Sequence, residues 1–211
     1  MMKRTIIVLL IACFVINATA QEAKPYRLNV GCEFGIINPI GLDKAIHINH
    51  AFFSSFVLDY ERSVSKYGAL QIGAQFNSSL VSIDAVLDQN NRLLPAPDSV
   101  KYASMNKLSV QIPLRYRIYS DENKFGRFYQ FGATLGYSFN HTYNFRNRGD
   151  DKTISMNNVN PYQLLINVGV GKRLEKKHLY YIDWSINLLG YFKQSNATKL
   201  LPMQISLGML L

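Results

Sequence analysis

The sequence predicts an all-β fold: an eight-stranded antiparallel up-and-down transmembrane β-barrel with short periplasmic turns and longer extracellular loops. Three observations predict it. Residues 1–20 read as an export leader, eight later segments of about ten residues alternate apolar with polar side chains, and the links between those segments alternate short with long. No apolar run reaches the ~20 residues that a membrane helix needs, whereas barrel strands cross with ~9–11. With 48% hydrophobic and only 18% charged residues the chain is too apolar for a disordered polymer, and two Cys exclude a disulfide scaffold.

The leader comes first. Lys3 and Arg4 precede the uncharged stretch from Thr5 to Ile16, and Asn17-Ala18-Thr19-Ala20 supplies the small residues that a signal peptidase reads. The expected mature chain therefore starts near Gln21, and residues 21–211 form one barrel domain. A competing reading takes Leu10-Ile11-Ala12-Cys13 as a lipoprotein box, but Cys13 lies in the middle of the apolar run and the Ala18-x-Ala20 site fits better. Cleavage removes Lys3, Arg4 and Cys13, so the formal net charge falls from +9 to +7 and Cys32 is left as the single thiol. Export excludes nucleic acid as a partner, and lipid head groups are the phosphate-bearing surface that basic loops would meet. The Asn-x-Ser/Thr matches at Asn77, Asn140 and Asn196 are read as chance.

The strands follow in order. The first, from Arg27, puts Leu28, Val30, Cys32, Phe34 and Ile36 on one face and Arg27, Asn29, Gly31, Glu33 and Gly35 on the other. The second, about 52 to 62, opposes Phe52, Phe56, Leu58 and Tyr60 to Ser55, Asp59 and Glu61, with Phe53 and Val57 as exceptions. The third opposes Leu70, Ile72, Ala74 and Phe76 to Gln71, Gly73, Gln75 and Asn77. The fourth, 107–118, sets Leu108 to Ile118 against Lys107, Ser109, Gln111, Pro113, Arg115 and Arg117. In the fifth, Tyr129 to Phe139 face away from Gln130, Gly132, Thr134, Gly136 and Ser138. The sixth, 162–173, carries Gln163, Asn167, Gly169, Gly171 and Arg173 on its polar row, with Leu165 as an exception. The seventh opposes Tyr180, Ile182, Trp184, Ile186 and Leu188 to Tyr181, Asp183, Ser185 and Asn187, and the eighth opposes Met203 to Leu211 to Gln204, Ser206 and Gly208. The links Ser63–Gly68, Ser120–Gly126 and Leu174–His178 are short; those near 37–51, 79–106, 140–161 and 193–201 are long.

The aromatics say which face meets lipid, because a ring with a polar tip suits the membrane interface. Tyr60, Tyr116, Tyr129 and Tyr180 lie on the apolar face beside short turns, and Phe34, Phe52, Phe76, Phe139 and Tyr162 lie beside long loops. A lipocalin-like barrel, the soluble rival, would turn its apolar face inward around a ligand. Here the opposite face carries Arg27, Glu33, Asp59, Glu61, Lys107, Arg115, Arg117, Arg173 and Asp183, five positive and four negative charges. Eight strands leave room for side chains only, so these residues are expected to form a paired-charge plug, with the interior glycines giving the long side chains space.

The stretch Lys107-Leu108-Ser109-Val110-Gln111-Ile112-Pro113-Leu114-Arg115-Tyr116-Arg117 resembles the "L-x-I-P-L-x-x-K/R-Y" strand of the PorT-like outer-membrane β-barrel family of Gram-negative bacteria. Phe131-Gly132-Ala133-Thr134-Leu135-Gly136-Tyr137, Val168-Gly169-Val170-Gly171 and Ile205-Ser206-Leu207-Gly208 are similar to it as well. The resemblance implies an outer-membrane barrel with a structural or interaction role, or an accessory part in a protein-secretion apparatus. One departure is the final Met209-Leu210-Leu211, where such barrels usually place an aromatic residue.

Pro113 cannot donate to a ladder, so a local bulge is expected there. A lipid-modifying barrel enzyme would need a His beside a Ser or carboxylate. His47, His50 and His141 fall on the outer side, but Asn49 and Tyr143 occupy the positions a His-x-Ser arrangement requires. The pair His47-x-x-His50 lacks the further ligands of a zinc site, and Arg148-Gly149-Asp150 reads as a charged loop tip. The expectation is thus no catalytic, metal or cofactor-binding residue, no cofactor, and as partners the lipids of the outer membrane and proteins of the envelope or its secretion machinery.

Overall fold

A computed structural model describes residues 26–40, 48–87, 93–95, 100–147, 150–156, 159–174, 178–189 and 201–210. The leader, with Cys13, lies outside the described residues, as do His47, Arg148, Gly149, Lys193 and Asn196. Every regular element is a strand: β1 Tyr26–Ile40, β2 Ile48–Ser63, β3 Gly68–Ile83, β4 Ala85–Leu87, β5 Leu93–Pro95, β6 Val100–Tyr119, β7 Gly126–Asn147, β8 Asp150–Ser155, β9 Tyr162–Leu174, β10 His178–Asn187 and β11 Leu201–Leu210. Eight of them close a ring in the order β1, β2, β3, β6, β7, β9, β10, β11, each antiparallel to its neighbours, and β11 returns to β1. β8 pairs with β7 outside the ring, and β4 with β5 forms a separate two-stranded ribbon.

Alternation places the side chains as the sequence predicts. Phe34, Phe56, Phe76, Leu135 and Trp184 are exposed on the outer surface, while their neighbours Glu33, Ser55, Gln75, Thr134 and Asp183 are buried inside. An apolar outer face around a polar interior inverts a soluble protein, and lipid is the solvent that suits it. The two aromatic girdles are present and knit neighbouring strands: Tyr26 with Tyr60 and Tyr116 with Phe131 toward the short turns, Phe76 with Phe139 and Tyr137 with Tyr162 toward the long loops, with ring centroids 5.6–6.0 Å apart.

Several expectations need correction. The links near 79–106 and 140–161 are largely strand: β3 continues to Ile83, β6 begins at Val100 and β7 runs to Asn147. These strands exceed the ~9–11 residues that cross a bilayer, so they project beyond it. Pro113 causes no bulge. The β3–β6 ladder passes from Ile72↔Leu114 to Gln75↔Gln111, omitting the pairs around Pro113 but keeping register. The bulge lies instead at Phe139, since Leu108 pairs with Asn140 and Ser109 with Ser138. That extra residue reverses the facing of β7 above it, so that Tyr143 points inward and is buried. Phe53, Val57 and Leu165, the exceptions in the polar rows, are buried interior residues.

Candidate functional site

Among the described residues, the lumen gathers most of the buried ionisable side chains. Arg117, fully enclosed, sets its Nη1 2.6 Å from Glu61 Oε2 and its Nη2 3.3 Å from Asp59 Oδ2, while its Nε donates to Gln130 Oε1 at 2.9 Å. Glu61 Oε2 also accepts from Arg173 Nη2 at 3.0 Å and from the Tyr119 hydroxyl at 2.8 Å. Arg115 pairs separately with Asp183, 3.1 Å away. Each buried guanidinium also lies over a ring: Arg115 over Tyr181, Arg117 over Phe128 and Arg173 over Tyr119, at 5.3–5.6 Å from the centroid. An aromatic face attracts a desolvated cation and supplies no further charge, so stacking compensates where carboxylates are few.

Alternation brings these groups together. Glu61 lies on β2, Arg117 and Tyr119 on β6, Gln130 on β7 and Arg173 on β9, all inward-facing toward the short-turn end. Glu33, expected as a partner of the arginines, is instead held by Gln75 Nε2 at 3.0 Å, by the Tyr181 hydroxyl at 3.2 Å and by Ser206. Lys107 is buried higher in the lumen, next to His141 in the register. Arg27 is only half-buried; it donates to the backbone carbonyls of Asn123 and Lys124. It belongs to the turns, contrary to the expected nine-member network.

Above the ion pairs the lumen is lined mainly by neutral polar side chains, with Lys107 as a buried cation among them. Gln111 donates to Gln163 at 2.9 Å, Gln163 to Ser138, Asn77 to Ser55 at 2.9 Å and Thr134 to Asn167 at 2.8 Å. Apolar clusters close both ends, a feature absent from the expected polar plug. At the short-turn end Ala69, Tyr119, Phe128, Leu179, Tyr181 and Leu210 belong to one buried cluster; at the long-loop end Ile37, Phe53, Ile83, Met105, Tyr143 and Met156 belong to another. Several glycines serve these rings more than the arginines. A Cβ at Gly171 would collide with Phe128, at Gly208 with Tyr181 and at Gly35 with Phe53. Tyr119 and Phe128 were legible in principle, since each continues the inward parity of its strand by one step past the polar row.

The turns outside the membrane are tied to one another. Lys124 adopts a left-handed backbone conformation (φ 58°), and its Nζ donates to the carbonyls of Ser65 and Lys66 at 2.9 and 2.8 Å. Burial, with the Arg27 cation nearby, holds its ammonium below the ordinary lysine range. An open cavity of about 600 Å³ between these turns is lined by Arg27, Lys66, Glu122 and Lys124. Its cations are committed to carbonyls or, for Lys66, to Glu122 at 2.9 Å.

The described histidines do not converge. His50 is exposed at the start of β2, His178 is exposed at the opposite end of the barrel, and His141 faces the lumen. Among the described residues no three of His, Cys, Asp and Glu are grouped as metal ligands would be. Asn77, a glycosylation match, is buried inside the barrel.

A closed ring of eight antiparallel strands, apolar outside and filled inside, defines the class: a small β-barrel of the outer membrane. No protein-family model matches the chain, and no curated protein matches it in sequence. Among solved structures it is similar to Neisserial surface protein A, with 10% identity over 89% of this chain and 98% of that one and a TM-score of 0.49. It is also similar to the outer membrane protein OprG from Pseudomonas aeruginosa (10% identity, 88% and 93% covered, TM-score 0.43). A third is the N-terminal β-barrel domain of Pseudomonas aeruginosa OprF (8% identity, 89% and 100% covered, TM-score 0.33).

Proposed function

We propose that the chain is a closed, non-catalytic barrel of the outer membrane with a structural or interaction role, exported by a cleaved leader. The observation that carries this reading is the filled lumen. Among the described residues its guanidiniums hold Asp59, Glu61 and Asp183, and Glu33 is held by Gln75, Tyr181 and Ser206, all between apolar end clusters, so these inward carboxylates are engaged with the barrel itself. What remains to contact partners is the outer surface: lipid along the belt, and beyond the long-loop end of the belt the projecting parts of β6 and β7 with the β8 edge. Export implies envelope proteins as partners and no nucleic acid. The test has two arms. Overexpression should leave the mass spectrum of the lipid pool unchanged, since a new lipid species would reveal an enzyme. Crosslinking through a photoreactive residue at exposed Ile154 of β8 should yield a discrete adduct with an envelope protein, and labelling of lipid alone would refute an interaction role at this edge.

The strand 107–117 supports a narrower version, an accessory component of a PorT-like secretion apparatus, through its resemblance to that family's Ile-Pro strand. Deletion of the gene would then leave export substrates stranded in the periplasm; normal secretion would reject this version and leave the wider reading intact.

A further inference from the structure

Around much of the short-turn rim the outward side chains are tyrosine or aliphatic, among them the exposed Tyr26, Leu70 and Ile118, with the cation Arg62 of β2 between Tyr26 and Leu70. On β7 and β9 they are cationic. Arg127 and Lys172 stand directly opposite one another in the register, Lys172 stands opposite Tyr180 of β10, and all three are exposed. Like charges facing each other across antiparallel strands have Cβ atoms ~4.5–5.5 Å apart and repel. Among the described residues no carboxylate pairs with either: the ion pairs involve Lys66, Arg115, Arg117 and Arg173. One outward step toward the membrane centre lies the row Tyr129, Val170 and Ile182, and beyond it Phe131, Val168 and Trp184. The two cations therefore stand where the apolar belt ends, at the depth of lipid phosphates, with Tyr180 beside Lys172 and Tyr129 one step along β7 toward the membrane centre.

We propose that Arg127 and Lys172 form a site for the phosphodiester of an anionic glycerophospholipid in the leaflet that the short turns face. A phosphate oxygen pair between the two side chains removes their repulsion, Arg127 supplies a fork suited to two oxygens, and Tyr129 and Tyr180 pack on the glycerol and upper acyl carbons. His178, exposed one diagonal step from Lys172, adds a third polar group toward the turn. The inference goes beyond the proposed interaction role and needs only that the barrel is embedded in lipid.

The test is native mass spectrometry of the folded barrel released from neutral detergent after titration with phosphatidylglycerol, with phosphatidylcholine as the uncharged reference. The wild type should retain one phosphatidylglycerol in preference to phosphatidylcholine. The double variant Arg127→Gln, Lys172→Gln should bind it at least about tenfold more weakly, given ~1 kcal/mol for each basic residue at an anionic surface. Lys152→Gln, on exposed β8, should retain it, and Arg127→Lys should bind it more weakly than the wild type but more tightly than the double variant. Should the double variant fail to show the heat-modifiable gel mobility of a folded barrel, Lys172→Gln alone is measured, with loss of at least about threefold expected. Equal retention by wild type and the charge-removed variant overturns the site. Displacement of the lipid by inorganic phosphate at the same concentration overturns the lipid as its ligand.

Discussion

Arg117 shows how a charge survives inside a barrel. No part of it reaches solvent, yet its guanidinium has Glu61 and Gln130 as hydrogen-bond partners, Asp59 within 3.3 Å and Phe128 against its face. Removing the cation takes away the ion pair of Asp59 and leaves Glu61 with Arg173 and Tyr119, and an uncompensated buried charge costs ~3–5 kcal/mol. Arg117→Ala should accordingly lower the urea midpoint of the barrel in lipid vesicles far more than Lys152→Ala, where an exposed surface change stays within ~0.5 kcal/mol. Arg115 gives the sharper experiment because, among the described residues, its ion-pair partner is Asp183 alone. Arg115→Met alone should destabilise strongly, whereas Arg115→Met combined with Asp183→Leu should recover most of the loss, since an apolar pair needs no compensation. A double variant as unstable as the single one would mean that Arg115 acts through Tyr181 packing and not through charge. Alternation marks all three arginines as inward. Their pairings depend on strand stagger around the ring, which no single strand encodes, and so the row of nine charges does not show that Glu33 meets Gln75, Tyr181 and Ser206.

The strands were legible where lipid forces strict alternation, from Leu28 to Ile36 or Leu108 to Ile118, and illegible where it stops. Beyond the bilayer both faces of β3, β6 and β7 are buried or mixed: Val81, Ser82 and Ile83 are consecutive buried residues, as are Ala103, Ser104 and Met105. With no period of two to read, these stretches resemble loops. The Phe139 bulge hides the continuation of β7 in another way, by shifting the inward row from even to odd positions so that Tyr143 reaches the Ala85 carbonyl at 2.6 Å. Cysteines at Val110 and Leu135 should react with lipid-soluble maleimides, and cysteines at Gln111 and Thr134 should resist bulky aqueous ones. Equal aqueous labelling of both pairs would contradict the facing. Deleting Phe139 should turn Tyr143 outward, dismantle the long-loop apolar cluster and make the outer extensions sensitive to added protease on intact cells, while the membrane-embedded part keeps its heat-modifiable gel mobility. Unchanged protease resistance would show that the bulge does not set the inward register.

For the molecule as a whole, the consequence of these layers is closure by elements in series. An ion entering from the short-turn end meets Tyr119, Phe128, Leu179 and Leu210, then the Arg117–Glu61–Arg173 network, then amide and hydroxyl side chains bonded to each other, and last the cluster of Phe53, Met105 and Tyr143. The charged layer follows from composition and alternation. The apolar ends do not, because Phe53 and Val57 read as breaks in a polar row until the closed ring places Phe53 in the long-loop cluster and Val57 in the short-turn cluster. Eight strands also leave no space beyond what side chains occupy. Reconstituted into planar bilayers, the barrel should therefore hold the membrane at its bare conductance. Because the barriers lie in series, Phe128→Ala should remain closed, and so should Tyr143→Ala: each opens one end while the ion pairs and the opposite cluster persist. A steady, large single-channel conductance in the wild type would mean that the interior rearranges into a pore. The appearance of conductance in one of the single variants alone would be narrower in its meaning, identifying that end as the sole barrier and the ion-pair layer as permeable.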